Sequence, residues 1–271
     1  MSAGVAARLR PSPGVIANAR VVAALGGRSI KQAFRRPQFL APILVFPSLF
    51  LAVNTGGAGR STQIEGFPEV NGFLDFELAG AIVQSTMLAA VSGGIALALD
   101  IESGFMDRLI ASPISRAAIV IGRLASTAVM GVLTGVWFVS IGLIFGAKIE
   151  GGVLGALLVI GLAAATAAAW GGFGAALALR SGTASVVQGI FPIVFVIIFL
   201  SSAFFPGNLL LEPAKSISDW NPMSFIAEGI RDPIVSGVSA EPVLEGMAAI
   251  AGVMAFGAAL SVWGLRKRLA G

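Results

Sequence analysis

Six long apolar runs dominate this chain: Phe39–Ala58, Leu78–Leu99, Leu124–Ala147, Val153–Leu179, Val186–Phe205 and Val243–Leu265. A bilayer core about 30 Å thick takes roughly 20 residues of helix, and each run has that length. None alternates in the way of a barrel strand, and a helix satisfies its own backbone in lipid. Charged residues are only 12% of the 271. Soluble domains carry about 25%, so this chain has too little charge to cover a soluble surface. The expectation is an all-α integral membrane protein with six transmembrane helices. Pro42, Pro47 and Asn54 interrupt the first run, and Glu245 sits one turn into the sixth.

Orientation follows from lysine and arginine. Seven basic residues and no acidic one precede Phe39. Arg108, Arg116 and Arg123 lie between runs two and three, Arg180 between four and five, and Arg266, Lys267 and Arg268 after run six. Fourteen of the eighteen basic residues thus fall on one side, which places both termini in the cytoplasm. The pI of about 10.3 then reflects topology, and no basic soluble face exists for nucleic acid. The first apolar run starts too late and is too long for a secretory signal. Residues 1–38 form a cytoplasmic segment, in which Val15–Phe34 has the pattern of an amphipathic interfacial helix. Residues 39–265 form the membrane domain and 266–271 a cytoplasmic tail.

The chain has no Cys, His or Tyr. Disulfides, thiolate nucleophiles and imidazole bases are therefore absent. No G-x-x-x-x-G-K-[ST] occurs, so the chain cannot cradle ATP phosphates itself. Runs one to five contain no ionisable residue within these bounds, which disfavours an ion-coupled carrier. Of the intramembrane polar groups, Asn54 and Gln84 are the least comfortable in lipid; they are candidates for a pathway or a dimer seam, along with Phe195 and Phe199 of a phenylalanine stripe. Gly131/Gly135 and Gly142/Gly146 predict close helix packing.

Two loops are too patterned to be mere connectors. Asp100–Ser126 mixes three acids with three bases, and Phe105, Leu109 and Ile110 have the spacing of a short helix stopped by Ser112-Pro113. Pro206–Pro242 is long, yet it carries Leu209–Leu211, Trp220, Phe225 and Ile230. In it, Asn221-Pro222 predicts an N-cap and first-turn proline for a helix through about Ile230.

These loops resemble those of the type-2 ABC transporter permeases (the ABC-2 membrane family), in particular the daunorubicin-resistance-type drug exporters of actinobacteria. The first loop carries the resemblance in Asp100, Ser103-Gly104-Phe105, Asp107-Arg108-Leu109, Ser112-Pro113, Arg116 and Gly122-Arg123. The second region carries it in Phe191-Pro192, Ser202–Pro206, Asn208, Trp220-Asn221-Pro222, Glu228 and Arg231. Arg35-Arg36-Pro37 at the entry to run one and the spacing of the six runs also match. Asp232-Pro233 departs from relatives that continue helically there.

The resemblance implies a transport subunit without its own ATPase activity. Glu102, Gly104, Phe105, Asp107, Arg108 and Leu109 would form a coupling helix seated on a partner. That partner is an ATP-binding cassette subunit in two copies, carrying the ATP and Mg; this chain itself holds no cofactor. A second permease copy or paralogue completes the complex in a bacterial cell membrane. Asn221, Pro222, Glu228 and Arg231 would be structural in the outer loop. The cargo is a hydrophobic small molecule or lipid, moved outward. The alternatives are an ion-coupled secondary transporter and a non-transporting assembly subunit.

Overall fold

A computed structural model describes residues 23–24, 26–28, 31, 35, 37–106, 108 and 116–270. Most of the expected interfacial helix lies outside the described residues, as do Asp107 and Leu109 of the expected coupling helix. The elements are α1 (Pro37–Ala58), α2 (Phe73–Glu102), α3 (Arg116–Ile144), α4 (Gly152–Ser181), α5 (Ala184–Gln188), α6 (Phe191–Phe199), α7 (Ala214–Trp220), α8 (Pro222–Val235) and α9 (Ala240–Ala270). Single 3₁₀ turns occupy Gly59–Gln63 and Gly207–Leu209. No strand occurs among the described residues.

Among the described residues, five helices are long and apolar enough to cross a membrane: Leu40–Gln63, Phe73–Glu102, Ile121–Ile144, Gly152–Ser181 and Ala240–Gly264. Their placement differs sharply. The apolar stretch of α2 is 72% buried inside the protein and that of α1 only 17%. α2 is therefore the central post and α1 a peripheral helix leaning on it. α4 packs on α2, α3 and α9, and the shared core includes Leu78, Ile82, Phe138, Val159 and Ile250.

The all-α membrane class is as expected, and the fifth of the six apolar runs is the one that falls on shorter helix, Ala184–Phe199. It is not one helix but the short pair α5 and α6, followed by turns through Phe205. Even taken as continuous helix, Ala184–Phe199 would reach only about 24 Å, short of a bilayer core of about 30 Å. Gly189 closes α5, and Pro192 opens α6 at a position where its missing N–H costs nothing. A count of apolar residues does not register such a break.

The first run keeps its helix despite two prolines. Pro47 cannot donate to the carbonyl of Ile43, four residues earlier. The Ser85 hydroxyl on α2 donates to that oxygen at 2.7 Å instead. Such interhelical bonds contribute about 0.6 kcal/mol each on average, and here the bond also spares a bare carbonyl in lipid.

Small residues set the helix spacing elsewhere. A Cβ on Gly131 would come within 2.6 Å of the Ala163 carbonyl oxygen on α4, and one on Gly135 within 3.0 Å of the Ile160 Cα. The Gly131/Gly135 pair thus lets α3 and α4 meet backbone to backbone.

α2 begins at Phe73, earlier than the apolar run, and so takes in Asp75 and Glu77, both buried. Both acids lie outside the apolar run as bounded from the sequence, because the helix starts more than a turn before it, on Phe73, Leu74 and Phe76. The helix predicted through Ile230 runs on to Val235, and Pro233 is accommodated inside it. Replacing Gly131 by Val should overpack the α3–α4 contact and cost about 1–3 kcal/mol. Thermal unfolding in detergent should show a lowered midpoint, and an unchanged midpoint would contradict the close approach.

Candidate functional site

The two ends of α2 carry most of the polar contacts. At its C-terminal end Ser103 and Gly104 turn the chain out of the helix, with Gly104 at φ +68°. That left-handed conformation favours glycine. Beyond it, Met106 is buried against Leu97, Ala98, Ala178 and Val187, so the start of the expected coupling segment is pinned to α2, α4 and α5. Arg108 is exposed.

The Asp100 carboxylate at this end is buried and receives two guanidiniums. Arg28 donates through Nη2 to Oδ1 at 3.0 Å, and Arg123 of α3 donates to Oδ2. The Arg28 guanidinium also lies over the Phe105 ring, 3.6 Å from its centroid. Two residues on, Glu102 faces the other way: its Oε1 accepts the backbone N–H of Ala184 at 2.8 Å. A carboxylate at a helix N-terminus satisfies an otherwise free donor. The expected coupling residues Glu102, Gly104, Phe105 and Arg108 thus lie where α2, α5 and the N-terminal segment converge. Arg123 belongs to the loop pattern read from the sequence, but nothing in that pattern pairs it or Arg28 with Asp100. The opposite charges of Asp100 and Arg123, flanking one loop, were the available signal.

The other end of α2 is braced by Arg231 of α8. Its side chain is 5% exposed. Nε donates to the Phe76 carbonyl at 3.3 Å, Nη2 to the carbonyls of Ser202 and Ala203 at 3.0 and 2.8 Å, and Nη1 to Glu228. The guanidinium also sits 3.9 Å from the Phe76 ring centroid. Glu228 in turn accepts from the Ser202 hydroxyl at 2.8 Å. Asn221 caps α8 by accepting the Met223 N–H at 2.9 Å. Its amide donates to the carbonyls of Ile197 and Leu200 at 2.8 and 3.0 Å, closing the end of α6. Pro222 follows as the first residue of α8. Asn221, Pro222, Glu228 and Arg231, far apart from Ser202 in the sequence, form one polar brace.

Between α1 and α6 runs an apolar groove of about 590 Å³, lined by Pro42, Val45, Phe46, Leu49, Leu88 and Phe195 among others. Phe46 meets Phe195 edge-on at 5.5 Å between centroids, and Phe50 meets Phe199 at 5.9 Å. Asn54, farther along α1, donates to Glu77 Oε1 at 2.6 Å. Phe195, Phe199 and Asn54 therefore share the α1 side of the molecule. Gln84 does not line this groove. It is fully buried and neither of its amide atoms has a partner. Glu77 is a polar residue of this region that the sequence reading left out, and its Oε2 is likewise unpaired. On another side a cleft of about 580 Å³ lies among Trp170, Phe173, Trp220, Phe225, Glu245 and Phe256. Among the described residues these two surfaces are lined mainly by apolar side chains, with Glu245 the charged group at the second.

Arg231→Ala would strip partners from the carbonyls of Phe76, Ser202 and Ala203. Each buried group left bare costs about 1–3 kcal/mol. The variant should lose thermal stability in detergent far beyond Lys215→Ala, whose exposed pair with Asp219 is worth little. Equal melting of the two variants would contradict the brace.

The family model described as ABC-2 type transporter matches residues 20–235. The chain is 30% identical over 203 residues to "Daunorubicin resistance ABC transporter permease protein DrrB1" of Streptomyces coeruleorubidus, covering 72% of this chain and 68% of that protein. It is 24% identical over 221 residues to "Putative transport permease ycf38" of Pyropia yezoensis, covering 78% of this chain and 72% of that one. The matched region takes in both braced ends of α2 and the groove between α1 and α6. The chain belongs to the ABC-2 type transporter family, as a multi-pass membrane subunit of an ABC transporter.

Proposed function

We propose that this chain is the permease of an ATP-driven exporter in a bacterial cell membrane, with both termini cytoplasmic. Two separate ATP-binding subunits, which hold the ATP and Mg, supply the free energy. A second permease, identical or paralogous, completes the pathway. Glu102 to Leu109 is the coupling segment that seats on the ATP-binding subunit. The observation that carries this reading is the junction at the Asp100 end of α2, where the exposed segment is tied to α2 through the turn at Gly104 and to α5 through Glu102. A push on the segment reaches α5 and then α6, whose Phe195 and Phe199 face α1. Closure of the ATP-binding subunits therefore shifts the balance between inward- and outward-open forms. The apolar groove supports an apolar or amphipathic cargo such as a drug, a lipid or a lipid-linked metabolite. The relative named for daunorubicin resistance favours the drug class.

The test is Gly104→Trp in the reconstituted complex. The φ of +68° makes any side chain strained there, and a bulky one also obstructs docking. ATP-binding subunit recovered with the permease should fall, or its ATP turnover should become independent of the permease. Unchanged recovery together with unchanged transport would overturn the coupling assignment.

Ion-coupled transport retains one foothold in Glu77, a buried carboxylate within a membrane helix. Glu77→Gln separates the two readings. ATP-driven transport should survive the substitution, whereas an ion-coupled carrier that used Glu77 would lose its dependence on the ion gradient.

A further inference from the structure

Arg28 bridges two points on opposite sides of a glycine turn. Its guanidinium donates to Asp100, on the last turn of α2 before Gly104, and stacks on Phe105, immediately after Gly104. The turn has backbone bonds of its own, from the Ser103 N–H to the Leu99 carbonyl and from the Gly104 N–H to the Ile101 carbonyl, but the space beside Gly104 at φ +68° is open, and Arg28 adds a side chain in contact with both flanks. The planar guanidinium suits both contacts at once, since its edge donates while its face covers an aromatic ring. We propose that Arg28 is a positioning residue that fixes the angle between α2 and the coupling segment, so that a push from the ATP-binding subunit moves the membrane helices instead of bending the chain at Gly104. This rests on the reading of Glu102–Leu109 as the coupling segment.

The two arginines on Asp100 divide the work. Arg123 rises from α3 with a side chain 14% exposed, and it keeps the buried carboxylate paired by itself. Arg28 is 42% exposed and comes from the segment before α1. Its removal leaves no bare buried charge, so the fold survives while the clamp is lost. It also links the N-terminal segment to the coupling segment, so the two travel together.

The chain has no cysteine, so introduced thiols are unique. Phe46→Cys and Phe195→Cys place two thiols across the α1–α6 contact, where a reducible thiol cross-linker can immobilise it. The measurement is ATP turnover of the complex with its ATP-binding subunit in lipid vesicles, which requires no knowledge of the cargo. With Arg28 present, cross-linking should cut turnover by about tenfold, and reduction should restore it. With Arg28→Ala, turnover after cross-linking should stay within about twofold of the uncross-linked value, because hydrolysis is no longer tied to the helices. Arg28→Lys keeps the charge on Asp100 but loses the flat stacking surface, and should fall between the two. Equal inhibition of the Arg28 and Arg28→Ala proteins would overturn the proposal. So would turnover unaffected by cross-linking when Arg28 is present. Recovery of the ATP-binding subunit with Gly104→Trp reports separately on the coupling assignment, so failure of the clamp and failure of the docking reading are distinguishable.

Discussion

The structure depends on one constraint: wherever a helix breaks in lipid, something must satisfy the backbone groups it releases. This chain breaks its helices repeatedly, and at several of the breaks a side chain from another element takes the released group. Ser85 takes the carbonyl that Pro47 leaves free in α1. Asn221 takes the last carbonyls of α6, and Arg231 takes those of Ser202 and Ala203 beyond it. Glu102 takes the first N–H of α5.

The repairs also determine which parts move together. α2 carries the donor for α1 at its middle, the acceptor for α5 at one end, and the Phe76 carbonyl held by Arg231 at the other. Its apolar stretch is the most buried of the membrane helices, so a force at either end is delivered to a rigid post. α1, by contrast, is mostly bare toward the outside and meets α6 through phenylalanines packed edge to face. A surface of weak, non-directional contacts can slide or part without leaving polar groups unpaired. That asymmetry fits the proposed function: a stiff helix at the end proposed to meet the ATP-binding subunit, and a yielding apolar seam beside it.

Much of the candidate site was legible from residue order. The mixed-charge stretch Asp100–Ser126, with Gly104 before an aromatic residue, stands out from loops that merely connect. Asn221-Pro222 signalled a helix start by cap chemistry, and the capping bond from Met223 is present. Glu77 was hidden because an apolar count stops at the first charge, although a buried carboxylate with an Asn partner continues the helix. The break at Gly189 was hidden for the converse reason: every neighbour is apolar, so hydropathy stays high while the hydrogen-bond ladder ends.

By itself the sequence determined the class of solvent and the class of structure. Too little charge and too much apolar length leave the bilayer as the surrounding medium, and in that medium helices are the form that satisfies the backbone within each segment. Glycine spacing likewise announced that α3 would pack tightly against something. Only the tertiary structure decided which helix is the central post, that α3's partner is α4, and that Arg231 reaches carbonyls nearly thirty residues away. It also brought Arg28 to Asp100, seventy-two residues apart. The physical reason is that periodicity and composition report on a segment's own environment. Which carbonyl a guanidinium satisfies depends on where another segment's helix happens to end, and that is settled when the helices pack.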